Sequence, residues 1–427
     1  MTDFTKFSVS KLEAHKRDLQ NQYQEFKAKN LNLDITRGKP CPEQLDLASE
    51  MLECINGENY KSADGIDCRN YGGLDGLPEA KRLFAEFLEV DPEEIVIGGN
   101  SSLALMHDEI VRAILHGTVD SEVPWGKLPK IKFVCPSPGY DRHFSICEYL
   151  NIDMVPVEMD GNGPDMDRVE ELVSGDDAIK GIWCTPKYSN PTGITFSDEV
   201  VDRLASMNTK AEDFRIFWDN AYTAHHLTDA PDTLKNVLDA CKQVGNTERA
   251  FIFGSTSKIS IAGAGIAVMA GSVKNMEHTR ELMSFQTIGP DKINQLRHVR
   301  FLKNMAGIQS HMKKHAAIIK PKFDAVQNAL AEALGNKNLA EWSRPNGGYF
   351  ISMNVMDGCA KKVVQMAADA GVKLTPAGAT YPYGRDPRDR NIRIAPTFSP
   401  EDQVQTAMEL VAVCILLASV EKLLAQS

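Results

Sequence analysis

Nine cysteines and ten histidines are present, yet no C-x-x-C pair and no H-E-x-x-H motif occurs among them. The cysteines, from Cys41 to Cys414, stand singly, so the chain offers neither a disulfide framework nor a zinc-ligand spacing. They are read as reduced thiols filling core positions in a cytoplasmic protein. Long apolar runs are missing too. The longest, Leu410 to Val420, is well short of the roughly 20 residues that cross a bilayer, and it is expected to be the buried stripe of a terminal helix. The first residues, M-T-D-F-T-K-F-S-V-S-K, contain no signal-peptide core. Positive charge is in deficit: a formal net charge of −11 argues against nucleic acid or an anionic membrane as the main partner. It leaves room for a local basic pocket that takes a small anion. No repeat or low-complexity segment interrupts the chain.

What is there is an ordinary globular composition over 427 residues, enough for a large core and roughly two or three domains. A helix-prone stretch, Ser10–Asn30, leads into a loop at Ile35–Pro42. From Leu74 short apolar runs alternate with helical stretches. The candidate strands are Glu94–Gly98, Ile131–Cys135, Asp153–Glu158, Gly181–Cys184, Arg215–Trp218, Ala250–Phe253 and Gly265–Ala270. Most are continuously apolar, as strands covered on both faces are, and their separation by helices predicts an α/β domain with a mainly parallel seven-stranded sheet. Helical sequence follows from Ser284 to Lys320. Further strand signals occur in Arg344–Met353, Lys373–Gly378 and Asn391–Pro396, predicting a smaller α+β domain. The division expected is a large domain over 51–305 and a small one built from 1–50 and 306–427.

Ligands of parallel sheets bind at the carboxyl ends of the strands, and polar motifs stand there. In I-V-I-G-G-N-S-S, Asn100, Ser101 and Ser102 open a helix, where they either cap it or help bind an anion. In C-T-P-K-Y-S-N-P-T-G, Asn190 sits on a stiff turn with its amide available to a ligand oxygen. W-D-N-A-Y puts Asp219 at a strand end, with Tyr222 three residues on; the carboxylate is a helix cap or the partner of a bound charge. F-G-S-T-S-K places Lys258 after the next strand between small residues, flanked by Ser255 and Ser257. A lysine at the carboxyl edge of a buried sheet can lose its proton and react as an amine. Each motif alone has an ordinary structural reading. Together a phosphate cradle, an acid, a phenol, an amide and a lysine make up a pyridoxal-phosphate site.

The ordered set N-Y-G-G-L-D-G-L-P-E-A, C-P-S-P-G-Y, S-N-P-T-G, D-N-A-Y, S-T-S-K, R-P-N-G-G-Y-F and I-R-I-A-P resembles the class I/II aminotransferases of fold-type I along nearly the whole chain. The likeness is to a divergent aspartate-aminotransferase-type subgroup. The resemblance implies that Lys258 forms the internal aldimine with pyridoxal 5'-phosphate and later shuttles the substrate proton. Asp219 would hold the pyridinium nitrogen, Tyr222 and Asn190 the ring's phenolic oxygen, and Tyr140 would stack on the ring. Asn100, Ser101, Ser102, Ser255 and Ser257 would cradle the phosphate. Tyr71 would reach the phosphate of a partner subunit, implying a homodimer with shared sites. Arg393 matches the arginine that grips the substrate α-carboxylate, and Gly38 the segment that closes over the substrate. One departure stands out: Gly265 falls where the family carries a phosphate-binding arginine, so hydroxyls, N–H groups or another cation must serve.

The activity implied is ping-pong amino transfer between an L-amino acid, aspartate or glutamate, and 2-oxoglutarate. A β-lyase on the same fold is the alternative. A ligand-sensing domain of a transcription regulator is a third reading, disfavoured by the acidic balance and by the single helix ahead of Thr36–Pro40. No cation aligns with the family's distal-carboxylate arginine. Arg37, Lys39, Lys292 and Arg297 are candidates, each read first as a structural or solvated charge.

Overall fold

Residues 3–427 are described by a computed structural model of the chain. Twelve strands form in chain order: β1 (Leu33–Asp34), β2 (Ile95–Ile97), β3 (Lys132–Ser137), β4 (Asp153–Glu158), β5 (Ile179–Cys184), β6 (Arg215–Asp219), β7 (Ala250–Ser255), β8 (Ala267–Ala270), β9 (Ala340–Trp342), β10 (Ile351–Val355), β11 (Val372–Lys373) and β12 (Asn391–Ile394). The α-helices are α1 (Val9–Ala28), α2 (Pro42–Asp46), α3 (Pro78–Leu88), α4 (Ser102–His116), α5 (Asp141–Tyr149), α6 (Met166–Gly175), α7 (Asp198–Ser206), α8 (Val237–Gln243), α9 (Val273–Met283), α10 (Lys292–Leu302), α11 (Met305–Leu334), α12 (Ala360–Asp369) and α13 (Glu401–Gln426).

The main sheet has seven strands in the order β2-β8-β7-β6-β5-β3-β4. Only β8 runs against its neighbours, so the fold is the α/β class that the apolar runs predict. Every residue of β5 and β6 is buried, which is why their sequences are mainly apolar and do not alternate; the buried charges near their starts, Lys180 and Arg215, are paired with Asp213 and Asp120. Helices cover both faces. In α7, Ser197 caps the N-terminus by accepting from the Val200 amide, and Val200, Val201, Leu204 and Ala205 turn one face to the core.

All seven expected strands are present, with shifts at their ends. β6 runs one residue beyond the expected Trp218, and β7 runs on to Ser255. These polar residues continue the ladder, with Asp219 opposite Phe253 and Ser255 opposite Ala267, because backbone pairing does not depend on an apolar side chain. Two smaller sheets lie elsewhere: the antiparallel β12-β10-β9 and the parallel pair β1-β11. Of the expected strand stretch Arg344–Met353 only the part from Ile351 is extended, and Lys373–Gly378 is mostly loop.

The run Leu410–Val420 does lie in a terminal helix, α13, but it is buried at every position and is not a single stripe. Helices α1, α11 and α12 all pack on it, so no face is left for solvent. α11 joins two cores. Its Ile308 and Met312 pack with the seven-stranded sheet, and its Ile319, Phe323, Val326 and Leu330 with α13 and the small sheets. Among the described residues no helix is long and apolar enough to cross a membrane.

Candidate active site

The carboxyl ends of β5, β6 and β7 lie along one sheet edge, and three of the motifs follow from this register. Asp219 ends β6, Ser255 ends β7 with Lys258 three residues on, and the loop after β5 carries Asn190. Asp219 is 3% exposed. His143 donates from Nε2 to its Oδ2 at 3.0 Å. The imidazole is itself fixed by stacking on Trp183, with ring centroids 4.3 Å apart and planes 8° apart. Oδ1 of the same carboxylate is buried and has no partner. An orphaned buried carboxylate oxygen costs roughly 1–3 kcal/mol, so this atom is set to receive a cation or a donor. A protonated pyridine nitrogen fits it.

Lys258 is half-buried, with Nζ 5.1 Å from the ring centroid of Tyr222 and 5.7 Å from that of Tyr349. Desolvation lowers its pKa, partly opposed by the charge of Asp219. Tyr222 is buried, and burial above all, with Tyr140 and Asp219 adding to it, holds its phenol protonated far above the ordinary range. It is therefore a donor at neutral pH. Asn190 is buried ahead of a cis peptide to Pro191, and its Oδ1 accepts from Arg393 Nη1 at 3.3 Å. With Oδ1 committed, Nδ2 is what the amide offers a ligand oxygen. Tyr140 is the N-cap residue of α5, its ring edge-on to His143 at 4.9 Å, and burial raises its phenol to about 12.

Arg393 projects from β12 and is nearly buried. Nη1 donates to Asp141 Oδ1 at 2.7 Å, the guanidinium lies 5.1 Å from the Phe350 ring centroid, and Nε is buried without a partner. The segment before α2 passes over the same ring: a Cβ added to Gly38 would come within 2.1 Å of Phe350. Only glycine allows that approach.

The third part of the site is the junction of the α4 N-terminus with the turn after β7. Asn100 Nδ2 donates to the Gly263 carbonyl at 3.3 Å, Ser257 Oγ to the Asn100 carbonyl at 3.5 Å, and Ser255 Oγ to Ser257 Oγ at 3.0 Å. Ser101 caps α4 by accepting from the Ala104 amide, and Ser102 is its first residue. Capping and anion binding are compatible here, because the remaining N–H groups of the first turn still lack helical partners. Hydroxyls on a helix N-terminus fit a phosphate. Gly265, in place of the expected arginine, is tightly packed: a Cβ would stand 3.1 Å from Thr256 Oγ1 and 3.4 Å from Ser257 N. Its carbonyl accepts from Asn294 Nδ2 at 2.8 Å.

Tyr71 is not brought to the other site residues within one chain. It is 80% exposed, and its carbonyl accepts from Lys292 Nζ at 3.2 Å. Phe285 and Ile288, also exposed, belong to a loop that touches Gly72 and Gly73 beside it. The four candidate cations all have local engagements. Arg37 pairs with Asp34 at 2.9 Å, Lys39 stands 4.3 Å over Phe398, Lys292 holds the Tyr71 carbonyl, and Arg297 donates to Asn294 Oδ1 at 3.0 Å. Sequence reasoning missed His143 and Asp141. The signal for His143 was available, since a histidine three residues after Tyr140 falls one helical turn along α5.

Comparison with known proteins gives the family. The family described as aspartate amino-transferase matches residues 7–427. An aspartate aminotransferase of Corynebacterium glutamicum is 43% identical over 415 residues, 97% of this chain and 96% of its own. A crystal structure of an aspartate transaminase from Corynebacterium glutamicum superposes with a TM-score of 0.97 at 42% identity, covering 99% of both chains. At 19% identity, LysN, the α-aminoadipate aminotransferase of Thermus thermophilus solved with N-(5'-phosphopyridoxyl)-L-leucine, shares the fold with a TM-score of 0.72 over 93% of this chain and 94% of its own. The chain belongs to the aspartate aminotransferase family, the fold-type I aminotransferases.

Proposed function

We propose that this aminotransferase exchanges the amino group of L-aspartate or L-glutamate with 2-oxoglutarate in a ping-pong cycle, with pyridoxal 5'-phosphate held at Lys258. The observation that carries the reading is the orphaned Oδ1 of Asp219, buried and backed by His143, in the same pocket as a lysine whose proton is destabilised by burial. When bound, the cofactor supplies an aldehyde that condenses with amines and a ring that withdraws the electron pair left by proton removal.

The chain's own residues supply the rest. Asp219 holds a proton on the ring nitrogen, and His143 keeps the carboxylate facing it. Asn190 Nδ2 and Tyr222 Oη donate to the ring oxygen, and Tyr140 covers the ring. Asn100, Ser101, Ser102, Ser255 and Ser257 hold the phosphate without an arginine at 265. Lys258, in the amine form that burial favours, takes the substrate's α-proton. Arg393 binds the α-carboxylate, and the segment at Gly38 closes over it. Tyr71 of a second copy completes the cradle, which makes the working unit a homodimer. The same reading places the protein in the cytoplasm, where its nine unpaired cysteines, all but Cys54 buried, would stay reduced.

Borohydride reduction of the cofactor-loaded protein followed by peptide mapping tests the anchor, and should label Lys258. Stepwise addition of L-aspartate should convert the visible cofactor band to that of the amine form, and 2-oxoglutarate should restore it. Pyruvate and ammonia released from β-chloroalanine without any 2-oxo acid would instead mark a lyase.

A further inference from the structure

The turn that carries Lys258 is held from beneath by buried histidines that have no place in the cofactor pocket. His225 Nε2 lies 3.2 Å from the Lys258 carbonyl oxygen, and His311 Nε2 lies 2.7 Å from that of Ile259. A carbonyl oxygen only accepts, so both ring nitrogens carry their protons. His315, one turn along α11, approaches His311 at 3.0 Å between the two Nε2 atoms, and its Nδ1 is 2.9 Å from Gln44 Nε2. Gln44 Oε1 already accepts from the Cys41 amide at 3.2 Å, so its NH2 end faces the imidazole and donates. His315 Nδ1 is therefore the acceptor and its Nε2 carries the proton. With a proton on each Nε2 the two rings pack against each other and do not hydrogen-bond; His311 bonds the Ile259 carbonyl, which also acts electrostatically on His315. Burial keeps the pair neutral, with His315 lowered to about 4.

Gln44 closes the circuit. Its NH2 also donates to Tyr349 Oη at 2.9 Å, and the Tyr349 ring is one of the two aromatics beside Lys258 Nζ. Gln44, His315 and Tyr349 are almost wholly inaccessible. Gln44 stands on α2, just after the segment that passes Gly38 over Phe350. The reactive turn and the segment over the substrate pocket are thus joined through the Ile259 carbonyl, the packed His311/His315 pair and Gln44, with Tyr349 as a branch. A helix that merely packed would place apolar residues at 311 and 315, as it does at Ile308, Met312 and Ile319.

We propose that His311, His315 and Gln44 are positioning residues that couple the N-terminal segment around Gly38 to Lys258, so that the placement and proton affinity of its Nζ follow the state of that segment. The proposal rests on Lys258 being the cofactor anchor. It is tested on the loaded homodimer with His315→Leu and Gln44→Leu, and with His315→Gln, whose amide can still accept from Gln44. In both leucine variants the pH midpoint of the visible cofactor band should move by about half a unit or more. The L-aspartate half-reaction should slow about tenfold with little change in KM, and His315→Gln should recover most of both effects. In the apoprotein, the pH dependence of Lys258 amidination by methyl acetimidate should shift in parallel.

Leucine variants that fold, load cofactor and keep the wild-type band midpoint and Lys258 reactivity would overturn the proposal. If His315→Leu does not fold, Gln44→Leu and His315→Gln decide on the same two readouts. Borohydride labelling of the wild type separates the premise from the inference. Label on another lysine overturns both, whereas label on Lys258 with an unmoved midpoint overturns the coupling alone.

Discussion

His143 donates to Oδ2 of Asp219 at 3.0 Å while Oδ1 of the same carboxylate lies buried without a partner. The imidazole thus fixes which oxygen is free to meet the cofactor. In Asp219→Asn one amide atom can still accept from His143, but the side chain can no longer hold a proton on a ring nitrogen. Turnover should fall by at least about 100-fold with the fold intact, as single-turnover kinetics and circular dichroism would show. His143→Leu should act more mildly, weakening cofactor binding about tenfold because a second carboxylate oxygen is left bare. Equilibrium dialysis giving a wild-type dissociation constant for His143→Leu would show that the pair is not what readies Asp219.

Arg393 is held by a carboxylate of its own chain, Asp141, at 2.7 Å. On the role proposed for Arg393, an incoming α-carboxylate must share or displace that partner. Asp141→Asn should therefore lower KM for the amino acid several-fold, whereas Arg393→Lys, which loses the planar two-point contact, should raise it about 100-fold. Steady-state kinetics at constant ionic strength measure both. A raised KM in Asp141→Asn would mean that Asp141 orients the guanidinium and does not compete for it.

The seven strands of the main sheet were readable because residues covered on both faces are mostly apolar, as in Gly181–Cys184 and in Arg215–Trp218, where the one buried charge, Arg215, pairs with Asp120. Their polar ends were not readable as strand. Asp219 and Ser255 remain in the ladder through backbone hydrogen bonds that leave no trace in side-chain pattern. The same limit governs the site. Motif residues such as Asn190, Lys258 and Arg393 stand in recognisable local contexts. Their partners do not, because His143 meets Asp219 across 76 positions of sequence and Gln44 meets His315 across 271. That the run Leu410–Val420 of α13 is buried all round, and not as a single stripe, is unreadable for a related reason: composition records how apolar a helix is, and packing decides how many neighbours surround it.

Gly265 answers by packing the question raised by its missing arginine. A Cβ there meets Thr256 Oγ1 at 3.1 Å, and that hydroxyl accepts from the Ile266 amide at 2.8 Å, so the threonine cannot yield freely. Gly265→Arg should fail to tighten the phosphate site. The added side chain should instead displace the turn, weakening cofactor binding and costing about 1–3 kcal/mol of stability. Tighter binding of pyridoxal phosphate by this variant, measured by equilibrium dialysis, would show that the turn can accommodate a guanidinium after all.

Buried neutral histidines also set how the protein responds to acid. His298 accepts from the Ser260 hydroxyl under the same turn, and burial lowers it to about 4, as it does His315; Arg297 adds to the shift at His298 and His311 at His315. In the unfolded chain both would titrate near 6.5. Between these values the unfolded state binds more protons than the folded one, so stability is fully present above pH 6.5 and is lost as pH falls through about 4. Going from pH 7 to pH 5, each group should cost about 2 kcal/mol. Urea unfolding of the apoprotein at the two pH values gives the total, and His315→Gln, which removes one titrating ring but keeps a donor, should reduce the difference by about that amount. An unaltered pH dependence in His315→Gln would mean that the imidazole takes up its proton in the folded state as readily as in the unfolded chain, and that burial does not hold it neutral.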